Sequence, residues 1–186
     1  MTDVVPAVGA RTPRTRSLPL RGMLFLGLAA VVVIADQATK RVASDRLEGR
    51  ESVHVVDDVL RFTYVVNRGA AFGLLQDQTA FFVFVGVLVI GVIVASYRYL
   101  PRSGFRLHLA LGLQLGGAIG NLIDRIRQGY VVDFVDFGYR SNWWPVFNVA
   151  DSAIVIGVAL LALNALSSPS GAGTGVEASH ARDASG

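Results

Sequence analysis

Cysteine is absent from the 186 residues, which excludes a disulfide framework, a thiolate metal site and a cysteine nucleophile. Histidine is scarce. His54, His108 and His180 stand far apart, with no ligand spacing such as H-x-x-x-H, which argues against a zinc centre. Charge is thin as well: 17% of residues are charged against 52% hydrophobic, and mean hydropathy is +0.49, outside the balance of an ordinary water-soluble domain. The formal charge of +3 comes from scattered arginines, and no basic stripe interleaved with aromatics marks a nucleic-acid surface. What remains for chemistry is carboxylate, hydroxyl and amide, with no metal or cofactor expected.

Four apolar runs organise the chain. They predict spans at about 21–39, 80–100, 105–126 and 149–166, inside a single membrane domain over 21–166. Residues 1–20, rich in Pro, Thr and Arg, and the low-complexity residues 167–186 read as disordered cytoplasmic tails. The first run, "MLFLGLAAVVVIA" (23–35), also fits a cleaved signal peptide, with a basic stretch before a short apolar core. Adding Leu18 to Leu20 and Ala38 brings it to spanning length, and three further runs follow, which favours a helix that stays. Four spans put both termini on one side. Lysine and arginine are almost evenly divided between the two sides, so only the arginines before the first span and in the short Arg98, Arg102, Arg106 loop favour a cytoplasmic assignment.

The two longer connections, 41–79 and 127–147, fall on the opposite side. In "VLRFTYVVN" (59–67) Leu60, Phe62, Tyr64 and Val66 alternate with Arg61, Thr63, Val65 and Asn67, the period of a half-buried strand. With "SVHVV" and the Asp57-Asp58 turn before it, this predicts a hairpin. Trp143, Trp144 and Pro145 place the second connection at headgroup level.

Ionisable groups inside spans are costly and therefore informative. Asp36 and Lys40 are four residues apart on one helix face, as either an interfacial ion pair or part of a site. Gly112, Gly116 and Gly120 form a small-residue ridge for close helix approach. Beyond it Asn121, Asp124 and Arg125 share a face; a local Asp124–Arg125 pair is expected, leaving Asn121 and Arg125 to reach a backbone carbonyl or carboxylate. Asn148 and Asp151 open the fourth run at i, i+3; capping explains either alone and both less well. In "GYVVDFVDFGYR" (129–140) strand alternation sends Asp133 to one face and Asp136 to the other, one inward and one outward. An inward Asp133 meets Asp151 over the mouth of the bundle. Two facing carboxylates in low dielectric share one proton and suit water activation for peptide hydrolysis. They also suit cation binding or proton relay in a carrier, although the key acids lie near span ends and the halves show no repeat.

The blocks "ADQATK" (35–40), "NRGAAFGLL" (67–75), "GGAIGNLIDRIRQGYVVDFVDF" (116–137) and "FNVADSA" (147–153), in that order around four spans, resemble bacterial lipoprotein signal peptidase, or signal peptidase II. The resemblance covers 20 to about 166. It implies an all-α membrane core of four helices, a small extracytoplasmic β-cradle at about 45–75, and an outer-face loop helix or lid. It further implies a multi-pass enzyme of the bacterial cytoplasmic membrane, with both termini cytoplasmic and the active site near the outer leaflet. The implied activity is that of an aspartic endopeptidase, acting without cofactor or metal and as a monomer. It cleaves prolipoproteins on the N-terminal side of a diacylglyceryl-modified lipobox cysteine. The catalytic dyad then falls on Asp133 and Asp151, with Asp36, Asn67, Asn121, Arg125 and Asn148 holding substrate or orienting the dyad, and Lys40 a weaker member of that group. Asp124 and Asp136 stand outside the catalytic pair, so Asp136→Asn is expected to retain most activity.

Overall fold

The computed structural model describes residues 20–69, 75, 77–99, 104–140 and 142–167. Of the expected tails only Leu20 and Ser167 are described, each as the end residue of a helix; the rest of both tails, and residues 70–74 of the second motif block, lie outside the described residues. Four helices, α1 (Leu20–Leu47), α2 (Thr79–Tyr97), α3 (Phe105–Gln128) and α4 (Val149–Ser167), accompany strands β1 (Val53–Val56), β2 (Leu60–Asn67), β3 (Val131–Tyr139) and β4 (Asn142–Trp143). By length and hydropathy three of the helices, α1, α2 and α4, are able to cross a membrane. This is a multi-pass membrane architecture, in which each helix satisfies its own backbone polar groups away from water.

The third expected span differs in kind. α3 carries Arg106, Gln114, Asn121, Asp124 and Arg125, and buries ten residues, including His108, Asn121 and Asp124. It packs against α1, α2 and α4. Asn121, Asp124 and Arg125 are answered by protein partners rather than lipid, and the exposed Arg106 and Arg127 lie near its two ends, which lowers its hydropathy without placing an unpaired charge in mid-helix. By contrast α2 buries only Ile93 and exposes Phe81, Phe84, Val87, Leu88, Val92 and Val94.

Glycine sets the helix spacing. A Cβ on Gly116 would stand 2.6 Å from Val32 Cβ and 2.8 Å from the Ala29 carbonyl oxygen, so the ridge of Gly112, Gly116 and Gly120 admits α1 to backbone contact. Gly117, one position round, admits the Ala150 carbonyl of α4 in the same way. The apolar core of the bundle is Phe25, Ala29, Ile93, Leu111 and Leu115, closed by Tyr97 stacked on Phe25 at 4.6 Å.

α3 stops at Gly129, whose φ of 83° is the left-handed C-cap conformation and whose N–H returns to the Arg125 carbonyl. The turn feeds the chain straight into β3. Thr79 at the start of α2 donates to the Gly129 carbonyl at 2.7 Å and pins this corner.

The sheet is antiparallel in the order β1-β2-β3-β4. The expected hairpin is there, β1 and β2 turning at Asp57–Val59 with Asp58 at φ 59°. Two boundaries differ. α1 runs through Leu47, so residues 45–47, assigned above to the cradle, are helical. The sheet also takes β3 and β4 from the second connection, joined by Asn67↔Val131 and Val65↔Asp133 pairing. A second cluster, Ala43, Leu47 and Phe134 with Phe62 and Tyr64, glues the sheet onto the end of α1. The outer-face helix or lid expected from the first connection falls on 68–78, of which 70–74 and 76 lie outside the described residues.

Candidate active site

Asn148 is the N-cap of α4. Its Oδ1 accepts the Asp151 N–H at 2.9 Å, while Asp151 Oδ2 accepts the Asn148 N–H at 3.2 Å. This reciprocal capping box corrects the expectation that capping explains the two residues poorly together: both satisfy orphan donors of the first turn. A third orphan, the Ala150 N–H, is met from another helix by Asp36 Oδ1 at 2.9 Å.

With its carbonyl committed to capping, the Asn148 amide nitrogen points out of the helix, reaching Asp133 Oδ1 at 2.6 Å and the Val132 carbonyl at 3.3 Å. Asn148 thus touches both Asp133 and Asp151. Asn67, at the end of β2, donates to Asp133 Oδ2 at 2.8 Å while its Oδ1 accepts the Gly69 N–H at 3.0 Å. Asn121, on α3, donates to Asp151 Oδ1 at 2.8 Å while its Oδ1 accepts Lys40 Nζ at 2.9 Å. In all three asparagines an obligate donor occupies the carbonyl end. The NH2 end must therefore face the acid.

Lys40 sits at the hub of a buried ion cluster, 2.9 Å from Asp36 Oδ2 and 2.7 Å from Asp124 Oδ2. Asp124 also accepts Gln37 Nε2 at 2.8 Å. The local Asp124–Arg125 pair expected above is not what forms; Asp124 turns into the bundle toward α1, where an ammonium compensates its burial. Arg125 instead donates to the Gly69 carbonyl at 3.4 Å and stacks over Phe82 at 5.0 Å. Gln37, missed in the sequence, also donates to the Gly120 carbonyl at 3.3 Å. Its only signal was an amide next to Asp36 in an apolar run.

Asp136 also departs from expectation. It is as buried as Asp133, at 3% and 2% exposure, and bonds Arg61 Nε at 2.6 Å. Arg61, its partner across β2, lies over the Trp143 ring at 4.1 Å. β3 is covered on both faces, so alternation does not send either acid to solvent.

Asp133, Asp151, Asn67, Gly69 and Arg125 open onto one cavity of about 600 Å³, whose other walls include Trp144, Phe147, Val155 and Ile156. Asn121 and Asn148 stand behind it, one hydrogen bond from its acids, and Lys40 and Asp36 stand one step further back, bonded to Asn121 and to the Ala150 N–H. Burial, with the Asp151 charge second, pushes the Asp133 carboxyl up to about 7. The Asn67 and Asn148 donors and Lys40 pull the other way. Among the described residues no three His, Asp or Glu side chains gather as a metal-ligand set.

Comparison with known proteins agrees in extent with this unit. The family described as signal peptidase (SPase) II matches residues 28–167. A lipoprotein signal peptidase of Moorella thermoacetica is 52% identical over 139 residues, 75% of this chain and 90% of that protein. One from Geobacter sulfurreducens is 44% identical over 144 residues, covering 76% and 90%. Two solved bacterial membrane enzyme structures, at 2.3 and 1.9 Å resolution, superpose with TM-scores of 0.68 and 0.67 at 32% and 33% identity. Each covers 77% of this chain, and the match covers 87% and 93% of theirs. A family match over residues 28–167, from within the first helix to the end of the fourth, together with relatives of this identity and coverage, means that the chain belongs to the signal peptidase II family.

Proposed function

We propose that this protein removes signal peptides from prolipoproteins by aspartic-protease chemistry, with Asp133 and Asp151 as the dyad. Cleavage falls on the N-terminal side of a diacylglyceryl-modified lipobox cysteine. The observation that carries the reading is Asn148, one residue bonded to both carboxylates beside a cavity. Each of the four carboxylate oxygens accepts one N–H, leaving its other lone pair for water or a shared proton.

With one proton between the acids, the ionised member takes a proton from a water as that water's oxygen bonds to the peptide carbonyl carbon. The protonated member donates to the carbonyl oxygen. Collapse of the tetrahedral diol breaks the C–N bond: the leaving nitrogen takes the proton the dyad gained from water, while one diol hydroxyl gives its proton back to the dyad as the carboxyl product forms, so the pair ends with one shared proton. No metal or cofactor enters. Arg125 and the Gly69 carbonyl are placed to hold substrate backbone, and Trp144, Phe147, Val155 and Ile156 supply apolar walls. Asp36, Asn121 and Asn148 orient the dyad.

In this reading all four helices span, α3 shielded by its neighbours, with both termini cytoplasmic and the dyad near the outer leaflet. The enzyme works as a monomer in the cytoplasmic membrane.

The test uses purified protein and a diacylglyceryl-modified precursor, with product mass as readout. Asp133→Asn and Asp151→Asn are each expected to lower cleavage by roughly 10³-fold or more while the protein stays folded and inserted. Asp136→Asn keeps most activity. Cleavage by either dyad variant within tenfold of the parent would defeat the assignment.

A further inference from the structure

A second cavity, of about 360 Å³, lies between the outer end of α1 and the sheet, lined by Ala38, Thr39, Val42, Ala43, Arg46, Leu47, Val53, Phe62 and Phe134. It shares no residue with the catalytic cavity. Its walls offer almost no polar group. The Thr39 hydroxyl is spent on the Ala35 and Asp36 carbonyls, at 2.7 and 3.0 Å. A water here finds too few partners to be held, and so does the backbone of a peptide. The occupant the walls suit is hydrocarbon.

Two observations say which hydrocarbon. Val31, Ile34, Ala38 and Val42 are all exposed and follow one another at spacings of three and four, one lipid-facing stripe of a membrane helix. That stripe runs into the cavity through Ala38 and Val42, so acyl chains of the bilayer reach it without crossing water. The next residue of the same stripe is Arg46, at the mouth of the cavity in the last turn of α1. Among the described residues Arg46 makes no ion pair; its neighbour Asp45 is taken by Arg41 at 3.2 Å. A guanidinium over a dry groove fits phosphate, which it binds through two parallel donors.

We propose that this groove is a binding site for one membrane phospholipid, an acyl chain lying between α1 and Phe62 and Phe134, and the phosphate on Arg46. The chain would press on Phe134, which adjoins Asp133 on the other face of β3. The lipid then serves as a strut for the strand that carries one of the acids.

The experiment is native mass spectrometry of the full-length protein in detergent, titrated in separate arms with dioleoyl-phosphatidylglycerol and with dioleoylglycerol, which has the same tails and no phosphate. The parent is expected to retain one phosphatidylglycerol per chain and to bind dioleoylglycerol at least tenfold more weakly. Arg46→Ala lowers phosphatidylglycerol to the dioleoylglycerol level. Val42→Trp and Val53→Trp, filling the groove from the helix and the sheet side, abolish retention of both. A helical circular-dichroism spectrum and a monodisperse gel-filtration peak like the parent's show that Arg46→Ala has folded. Equal retention in the parent and all three variants would overturn the proposal. So would displacement of the retained lipid by stoichiometric diacylglyceryl precursor, which would give the groove to the substrate.

Discussion

The proton chemistry of the site is set by amides. Asn67 and Asn148 each hand one N–H to Asp133, favouring the ionised form against burial and the neighbouring charge, and the balance leaves the carboxyl at about 7. For an acid raised from an ordinary value of 3.8, the sign follows. Its contribution to stability is complete below 3.8 and is lost as pH rises through about 7. Thermal stability in detergent should decline across that window. Cleavage should decline through about pH 7 on the alkaline side, where the proposed dyad would lose its shared proton. Asn67→Ala removes a donor to the charged form, worth about 1.5–3 kcal/mol, so the alkaline limb of kcat against pH should move up by about one to two units. A limb that stayed in place would show that Asn67 merely tethers the loop.

Helix contacts carry a different kind of demand. A methyl at Gly117 would drive into the Ala150 backbone, at the start of the helix that presents Asp151, whereas a methyl at Gly91 on α2 meets nothing within 4 Å. Gly117→Ala should therefore cost about 1–3 kcal/mol and lower the melting temperature, while Gly91→Ala, which adds helix propensity without a clash, keeps or slightly raises it. Thermal melts of the two variants side by side check this. Much of this level is legible in the residues. The alternation in "LRFTYVVN" and the Asp57-Asp58 turn give the hairpin, and the four-residue glycine spacing gives the ridge that meets α1. The partners of Asp124 and Asp136 are not legible. Lys40 and Arg61 are remote in sequence, and each pairing exists only after α1 meets α3 or β2 meets β3. The two-face argument for Asp133 and Asp136 assumed one wet face, and a strand covered on both sides has none. α1 overran its expected end because Asp36 and Lys40, which look like an interface, are enclosed by α3.

At the scale of the molecule, the absence of cysteine makes topology directly measurable. Single substitutions Ser52→Cys, before β1, and Arg98→Cys, after α2, should differ in intact cells: a membrane-impermeant maleimide labels the first and reaches the second only after lysis. The opposite pattern would invert the proposed orientation. The Asp36 contact to the Ala150 N–H has a further consequence. α1, made well before α4, supplies a ligand for the opening turn of α4, so the proposed dyad has no fixed geometry until α4 has been made and packed. In the proposed mechanism a nascent chain still lacking α4 is therefore silent, unable to cut its neighbours in the membrane.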